Sequence, residues 1–127
     1  MKIKITNLSW SFCLFNLICL GRDLSIKTLR HETGHYLQWK QSGLFYYLGV
    51  CIVSTFRWWV DVLLHRKWTG KRRTEWYYGS WPENNANARG AVNADILPAW
   101  QATLKHEKNA AIIELLTRYI EAVEKGL

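Results

Sequence analysis

The sequence predicts an α+β domain in which a short N-terminal sheet or hairpin precedes a series of helices. Residues 3–21 favour extended structure, residues 26–42 carry a capped helical pattern, and residues 98–127 repeat apolar side chains at helical spacing. No internal repeat or proline-rich linker divides the chain. We therefore expect residues 1–127 to form one domain, because single domains commonly contain about 100 to 150 residues.

The first element is predicted between Ile3 and Gly21. Residues 8–20 follow Lys2 and Lys4 and have the charge and length of a signal peptide, but no small-residue cleavage site follows them. Polar residues interrupt this apolar run, and its branched and aromatic side chains favour extended structure. We therefore predict a buried strand or hairpin.

A helix is predicted from residue 26 to residue 42. Either Asp23 or Ser25 can provide the capping oxygen at its start. Gly43 can adopt the left-handed conformation that often ends a helix. Local signals therefore define both ends of this helix.

Residues 44–65 are predicted to form one long or two shorter apolar segments, with Gly49 as the place of a break. Residues 44–64 have about the length that spans a bilayer, but Arg57 and Asp61 interrupt them. These two charges lie four residues apart and can pair on a helix, so a membrane-associated protein anchored through residues 44–64 stays an alternative. We prefer a buried, aromatic-rich layer.

Two further helical regions are predicted in the second half of the chain. Pro82 suits the first turn of a short helix that continues to about Arg89, and Gly90 ends it. Residues 98–127 are expected to form one or two amphipathic helices that pack on the core.

The composition is that of a folded protein, with 49% hydrophobic residues and 21% charged residues. The formal net charge is +7, and residues 66–73 contain much of the excess. Such a cluster can hold phosphate or an anionic lipid headgroup, but no nucleic-acid-binding motif accompanies it. We interpret it as a solvated loop and expect no nucleic-acid partner.

An H-E-x-x-H motif occupies residues 31–35, inside the predicted helix. His31 and His35 lie four residues apart, so both imidazoles can reach one metal ion from the same helix face. Glu32 can reach water on that metal without ligating it, which is the position required of a general base. The motif predicts one Zn²⁺ per chain and hydrolysis of peptide bonds in a peptide or protein substrate.

A catalytic zinc site needs a third protein ligand and an open position for water. The later candidates are His65, Glu75, Glu83, Asp95 and His106. Glu83 is preferred because it opens the second short helix, in which Asn87 is placed to accept a hydrogen bond from a ligand imidazole. Ala86 is small enough for two helices to approach closely.

Gly34 costs a helix about 1 kcal/mol relative to alanine, which indicates that another backbone, such as an edge strand or a substrate, passes nearby.

The three cysteines, Cys13, Cys19 and Cys51, lie in apolar runs without C-x-x-C spacing. They are expected to be buried free thiols, which argues against a cysteine-bound structural zinc site. Free thiols favour a reducing compartment, so the cytoplasm is the predicted location.

Residues 31–38, which read H-E-T-G-H-Y-L-Q, are followed by a glycine and an apolar stretch. They resemble small bacterial zincin-like proteins, which typically read H-E-x-G-H-x-x-Q. Residues 77–92 are similar to the Y-Y, P-W-E, A-D and G-G-V pattern of the same proteins. The resemblance covers about half of the chain.

This resemblance implies a gluzincin-like fold with a short sheet, an active-site helix and a glutamate ligand from a second helix. The resemblance therefore implies that His31, His35 and Glu83 bind zinc and that Glu32 is the general base. The chain departs from the pattern at residues 81–82, where Trp-Pro inverts the usual order, and at Asn87, where an aspartate is common. Asparagine accepts a hydrogen bond but supplies no negative charge, so a lower metal affinity or activity is expected.

Catalysis also requires a donor to the oxyanion of the transition state. Tyr78 is our candidate, and Tyr77 is the alternative, because both lie shortly before Glu83. A different class of function is a non-catalytic zinc-binding interaction domain that keeps the site for stability. An open coordination position distinguishes the enzyme from such a domain.

Overall fold

The computed structural model describes residues 1–64 and 81–126, which form a small sheet and a set of helices of the predicted α+β class. The strands are β1 (Lys2–Ile5), β2 (Phe12–Leu14) and β3 (Leu17–Leu20). The helices are α1 (Ile26–Ser42), α2 (Leu44–Leu64), α3 (Trp81–Gly90), α4 (Asn93–His106) and α5 (Ala110–Glu124).

The N-terminal sheet has the strand order β1-β3-β2. Strands β2 and β3 form an antiparallel hairpin, whose turn contains Phe15 at a positive φ of 54°. This hairpin confirms the prediction for residues 3–21. Strand β1 pairs in parallel with β3, with Ile3 opposite Ile18. The parallel pairing was not predicted, because it joins strands that are distant in sequence.

Helix α1 has the bounds that its capping residues predicted. The Ser25 hydroxyl accepts a hydrogen bond from the Thr28 backbone N–H at 3.3 Å, which identifies Ser25 as the N-cap. Asp23 instead accepts hydrogen bonds from the Ser25 N–H and the Thr28 hydroxyl. Gly43 follows the helix with φ 89° and donates its N–H to the Trp39 carbonyl. This positive φ favours glycine over residues that carry a Cβ.

Helices α1 and α3 touch through their backbones. A Cβ on Gly34 would lie 1.8 Å from the Ala86 carbonyl oxygen, and one on Gly90 would lie 2.0 Å from the Arg30 carbonyl oxygen. The prediction of a backbone beside Gly34 is therefore confirmed. That backbone belongs to a helix, which corrects the expectation of an edge strand or a substrate.

Helix α2 is continuous, which agrees with the first of the two predicted arrangements, and no break occurs at Gly49. Tyr47 connects its inner face to the hairpin, since the Tyr47 hydroxyl donates to the Cys13 carbonyl at 2.7 Å and accepts from the Phe15 N–H at 3.2 Å. Among the residues that the structure describes, none of the helices combines the length and apolar character needed to cross a membrane.

The outer face of α2 corrects the prediction of a buried layer. Phe45, Ile52 and Phe56 are 88%, 69% and 67% exposed, and the neighbouring Trp59 and Leu63 are also exposed. A single helix can bury only the faces that meet other elements, and α2 meets α1 and α3 along one side. The inner side contains the buried residues Tyr47 and Val50.

The C-terminal residues form two helices, which is one of the two predicted arrangements, one helix or two. Helix α4 begins at Asn93, before the predicted start, and includes Pro98 in its interior. The core between the sheet and the helices contains Ile3, Cys13, Ile18, Leu20, Leu29, Leu37, Ile96, Trp100, Ile112, Leu115, Leu116, Ile120 and Val123. The Trp100 indole donates to the Thr33 hydroxyl at 2.9 Å, which anchors α1 to α4.

The three cysteines are free. Cys13 and Cys19 are buried, as predicted, whereas Cys51 is only partly buried. Burial raises the pKa of the Cys13 and Cys51 thiols above their ordinary value. These two thiols are therefore protonated, poorly nucleophilic groups at neutral pH.

Candidate metal centre

Three potential metal ligands from two helices converge at one point. The Nε2 atoms of His31 and His35 on α1 lie 2.7 and 3.1 Å from the same Glu83 oxygen, Oε2, on α3. One ligand atom from each of these residues lies within 4.8 Å of the others. The two imidazole rings are perpendicular, with their centroids 4.8 Å apart. This arrangement is compact enough for the three side chains to share one cation.

Helix geometry and close packing together bring these residues to one point. His31 and His35 project from the same face of α1 because they are one turn apart. Glu83 lies in the first turn of α3, three residues before Ala86. Because Ala86 touches the backbone of α1 at Gly34, the Glu83 carboxylate is held opposite the two histidines.

Each histidine makes a second contact through its other ring nitrogen. Nδ1 of His31 lies 2.6 Å from Oδ1 of Asn87, and Nδ1 of His35 lies 2.8 Å from Oε1 of Gln38. With the amide oxygens as acceptors, both Nδ1 atoms carry a proton. A neutral imidazole then directs an unshared electron pair from Nε2 toward Glu83. A carboxylate so close to two such pairs requires an additional proton or a metal cation between them.

A polar network continues from Gln38 along the contact between α1 and α3. The Gln38 amide donates to Asn85 at 3.0 Å, and Asn85 also accepts from the Arg89 Nε at 2.8 Å. Arg89 donates further to Gln41 and Ser42 near the end of α1. Sequence reasoning did not assign roles to these residues. The position of Gln38, three residues after His35 on a helix, was the available signal.

The Glu83 carboxylate is only 3% exposed. Burial by itself raises the pKa of this group, but hydrogen bonds from His31 and His35 outweigh burial and hold it well below its ordinary range. Its second oxygen, Oε1, accepts a hydrogen bond from the Ser54 hydroxyl of α2 at 3.1 Å. Glu83 is therefore an anion that uses both oxygens.

Glu32 lies beside this cluster with a different set of surroundings. It is 6% exposed, and no group among residues 1–64 and 81–126 donates a hydrogen bond to its Oε2. Burial raises the pKa of Glu32 above its ordinary value, although the positive charge that His35 and His31 can carry acts in the opposite direction. A buried carboxylate with a free acceptor oxygen suits proton transfer.

The other candidates do not join this cluster in the described part of the chain. Asp95 and His106 lie on α4 and belong to no group of potential metal ligands there. His65 and Glu75 lie outside the described residues, as do both candidate oxyanion donors, Tyr77 and Tyr78. Residues 66–73, the basic cluster, also fall in this range.

The metal-free cluster is expected to stabilise the fold most between about pH 4.5 and pH 6.5. Burial lowers the pKa of His35, but its hydrogen bond to Glu83 and the charge of that carboxylate raise it above 6.5 overall. Its contribution is present below pH 6.5 and is lost as pH rises through the raised pKa. The pKa of Glu83 is lowered from 4.5, so its contribution is present above pH 4.5 and is lost as pH falls through the lowered value.

Urea unfolding in the presence of a chelator measures this effect. Wild type should be more stable than Glu83→Gln by about 2 kcal/mol at about pH 5.5, because glutamine removes the charged acceptor. The difference should shrink toward about pH 9, because His35 loses its proton as pH rises through its raised pKa. An equal difference at both pH values would contradict a contribution from the ionised cluster.

Comparisons with known proteins leave the site to be interpreted from its own chemistry. No protein-family model, no curated protein and no solved structure matches this chain. The resemblance to zincin-like proteins therefore stays a prediction, and the convergence of His31, His35 and Glu83 beside Glu32 is the basis for a functional proposal.

Proposed function

We propose that this chain is a zinc-dependent metallopeptidase of the gluzincin type. His31, His35 and Glu83 bind one Zn²⁺, and Glu32 is the general base. The observation that carries this proposal is the convergence of both Nε2 atoms on one Glu83 oxygen, beside the buried Glu32 carboxylate, whose Oε2 has no donor among the described residues. Peptides or proteins are the proposed substrates.

The donor set fits zinc. Two imidazole nitrogens and one carboxylate oxygen form the ligand set of several catalytic zinc sites, in which a fourth position stays open. The hydrogen bonds at Nδ1 of His31 and His35 orient the imidazole rings and leave Nε2 available to the metal. Because neither Nδ1 partner is a carboxylate, these second contacts increase the basicity of the imidazoles less than an aspartate would.

Glu32 performs the proton transfers in this proposal. When bound, zinc supplies a Lewis acid that polarises the scissile carbonyl and acidifies water. The Glu32 carboxylate accepts one proton from the attacking water and gives it to the leaving nitrogen as the C–N bond breaks. The hydroxyl of that water remains on the acyl carbon. Burial raises the pKa of Glu32 above its ordinary value, which makes its carboxylate a stronger base toward the attacking water.

The buried position of Glu32 also supports the role of a base over that of a ligand. It is adjacent to His31 in sequence and interacts electrostatically with His31, His35 and Glu83. The donor atoms that lie close together nevertheless belong to the latter three residues. Tyr78 is proposed as the donor to the oxyanion because it lies shortly before Glu83 in the sequence.

Metal content of the purified protein tests the ligand assignment. Wild type, Glu83→Ala and the exposed control Glu114→Ala should be prepared without added zinc, and zinc per chain should be measured by mass spectrometry. We expect one zinc per chain in wild type and in the control. The Glu83→Ala variant should lose the metal or bind it more than about 100-fold more weakly, since removal of even an indirect partner of a ligand costs about 10 to 100-fold.

Two outcomes would contradict this assignment. Absence of zinc from wild type, even after dialysis against excess zinc, would remove the metallopeptidase proposal. Retention of zinc by Glu83→Ala with wild-type affinity would show that Glu83 is not the third ligand. Circular dichroism of each variant verifies that the helices are retained.

A further inference from the structure

Helix α2 contributes a side chain to the candidate metal centre, although no sequence motif connects the two. The Ser54 hydroxyl donates to Oε1 of Glu83 at 3.1 Å. Ser54 comes seven residues after Tyr47 and four after Val50, so all three lie on the same inner face of α2. Both of those neighbours are buried, which keeps this face of the helix in a defined position.

The Ser54 hydroxyl makes this contact in place of a local one. A serine inside a helix commonly donates to the carbonyl one turn earlier, and it has only one proton to donate. Here that proton is directed to Glu83, on a different helix. Serine is also a weaker helix former than alanine, so helix propensity does not account for the residue at this position.

The contact determines how the Glu83 carboxylate is oriented. The terminal torsion of a glutamate side chain has a broad energy minimum, so the carboxylate plane rotates easily unless both oxygens are held. Oε2 faces the Nε2 atoms of His31 and His35, and Oε1 is held by Ser54. With Oε1 engaged in this way, Glu83 presents a single oxygen to a cation.

We propose that Ser54 is a positioning residue that restricts Glu83 to binding zinc through one oxygen. This inference rests on the proposed function, because it concerns the third ligand of the same centre. One-oxygen binding leaves a coordination position available for water and substrate, which a catalytic zinc site requires. Ser54 completes a pattern in which each of the three ligands has a hydrogen-bond partner on its other polar atom.

Zinc affinity and cobalt spectra of three variants test this role. Ser54→Ala removes the hydroxyl, Ser54→Thr retains it, and Thr55→Ala removes an exposed hydroxyl from the next position of α2. Competition with a chromophoric chelator should show that Ser54→Ala binds zinc about 10 to 100-fold more weakly than wild type. Ser54→Thr and Thr55→Ala should bind zinc with affinities within about 3-fold of the wild-type affinity. Thr55→Ala keeps the Ser54 hydroxyl, and Ser54→Thr provides a threonine hydroxyl at the same position.

The visible spectrum of the Co²⁺-substituted protein reports coordination directly. If the Ser54→Ala carboxylate rotates to offer both oxygens, coordination number rises, and the visible absorption bands should weaken and shift. Ser54→Thr should restore the wild-type spectrum. A general loss of packing would instead lower the stability of the metal-free protein without a specific spectral change, and urea unfolding in a chelator measures that loss.

The outcomes separate this inference from the proposed function. If wild type binds zinc and Ser54→Ala has the same affinity and the same Co²⁺ spectrum, the role of Ser54 is refuted and the metal centre stands. If wild type binds neither metal, both proposals are refuted. If Ser54→Thr binds zinc as weakly as Ser54→Ala, the role is also contradicted, because the retained hydroxyl would then have no effect.

Discussion

Replacing Gly34 with alanine is expected to destabilise the folded protein by about 3 kcal/mol or more and to abolish zinc binding. The new Cβ would lie 1.8 Å from the Ala86 carbonyl oxygen, and 2.6 Å from its carbonyl carbon. Both atoms belong to the backbone of α3, so no side-chain rotation can relieve the overlap. The two helices must separate, and the separation moves Glu83 away from the histidines.

Gly49 provides a matched control for this substitution. It also lies inside a helix, but no atom of the described residues outside its chain neighbours and the local backbone of α2 lies within 4 Å of a Cβ built there. Gly49→Ala should therefore increase stability by about 0.5 to 1 kcal/mol, because alanine is the better helix former. Urea unfolding in the presence of a chelator compares the free energies of unfolding of the variants. The zinc content of each variant reports whether Glu83 still lies opposite the histidines. Equal stabilities for Gly34→Ala and wild type would contradict the close backbone contact.

Replacing Glu32 with glutamine is expected to reduce peptide hydrolysis by about 10² to 10⁴-fold while zinc stays bound. Glutamine preserves the size of the side chain but cannot accept and return a proton at neutral pH. Glu32 is not one of the three converging side chains proposed to bind zinc, so the metal content should remain at one zinc per chain. The variant should be at least as stable as wild type, because it replaces a buried carboxylate whose Oε2 has no donor among the described residues.

Hydrolysis of a broad fluorogenic peptide mixture, together with zinc content, measures this expectation. Glu121→Gln, an exposed substitution on α5, provides the control and should leave both quantities unchanged. Wild-type activity in Glu32→Gln would exclude Glu32 as the base. Loss of zinc from this variant would instead indicate that Glu32 is a ligand. A zinc-loaded wild type that cleaves no peptide would favour the non-catalytic zinc-binding domain.

The sequence alone determined the elements that are specified by neighbouring residues, such as a helix and the residues that cap it. The helix from residue 26 to residue 42 was predicted correctly because Ser25 can cap it and Gly43 can end it. A strand or hairpin in residues 3–21 was predicted because polar residues interrupt the apolar run and its branched and aromatic side chains favour extended structure. The spacing of His31 and His35 on one helix face follows directly from helical geometry.

Contacts between distant segments were decided by the tertiary structure. The sequence offered five candidates for the third ligand, and the packing of Ala86 on Gly34 is what brings Glu83 to the histidines. Ser54 had no local signal, because its partner is 29 residues away on another helix. The burial of α2 was wrongly predicted for a related reason.

Hydropathy reports how apolar each side chain is, but not how many neighbouring elements a helix meets. Helix α2 contacts its neighbours along one side, so Tyr47 and Val50 are buried while Phe45 and Ile52 are exposed. Periodicity and capping act through short-range hydrogen bonds and sterics, which the local sequence encodes. Burial and site assembly depend on which surfaces meet in three dimensions, and only the tertiary structure contains that information.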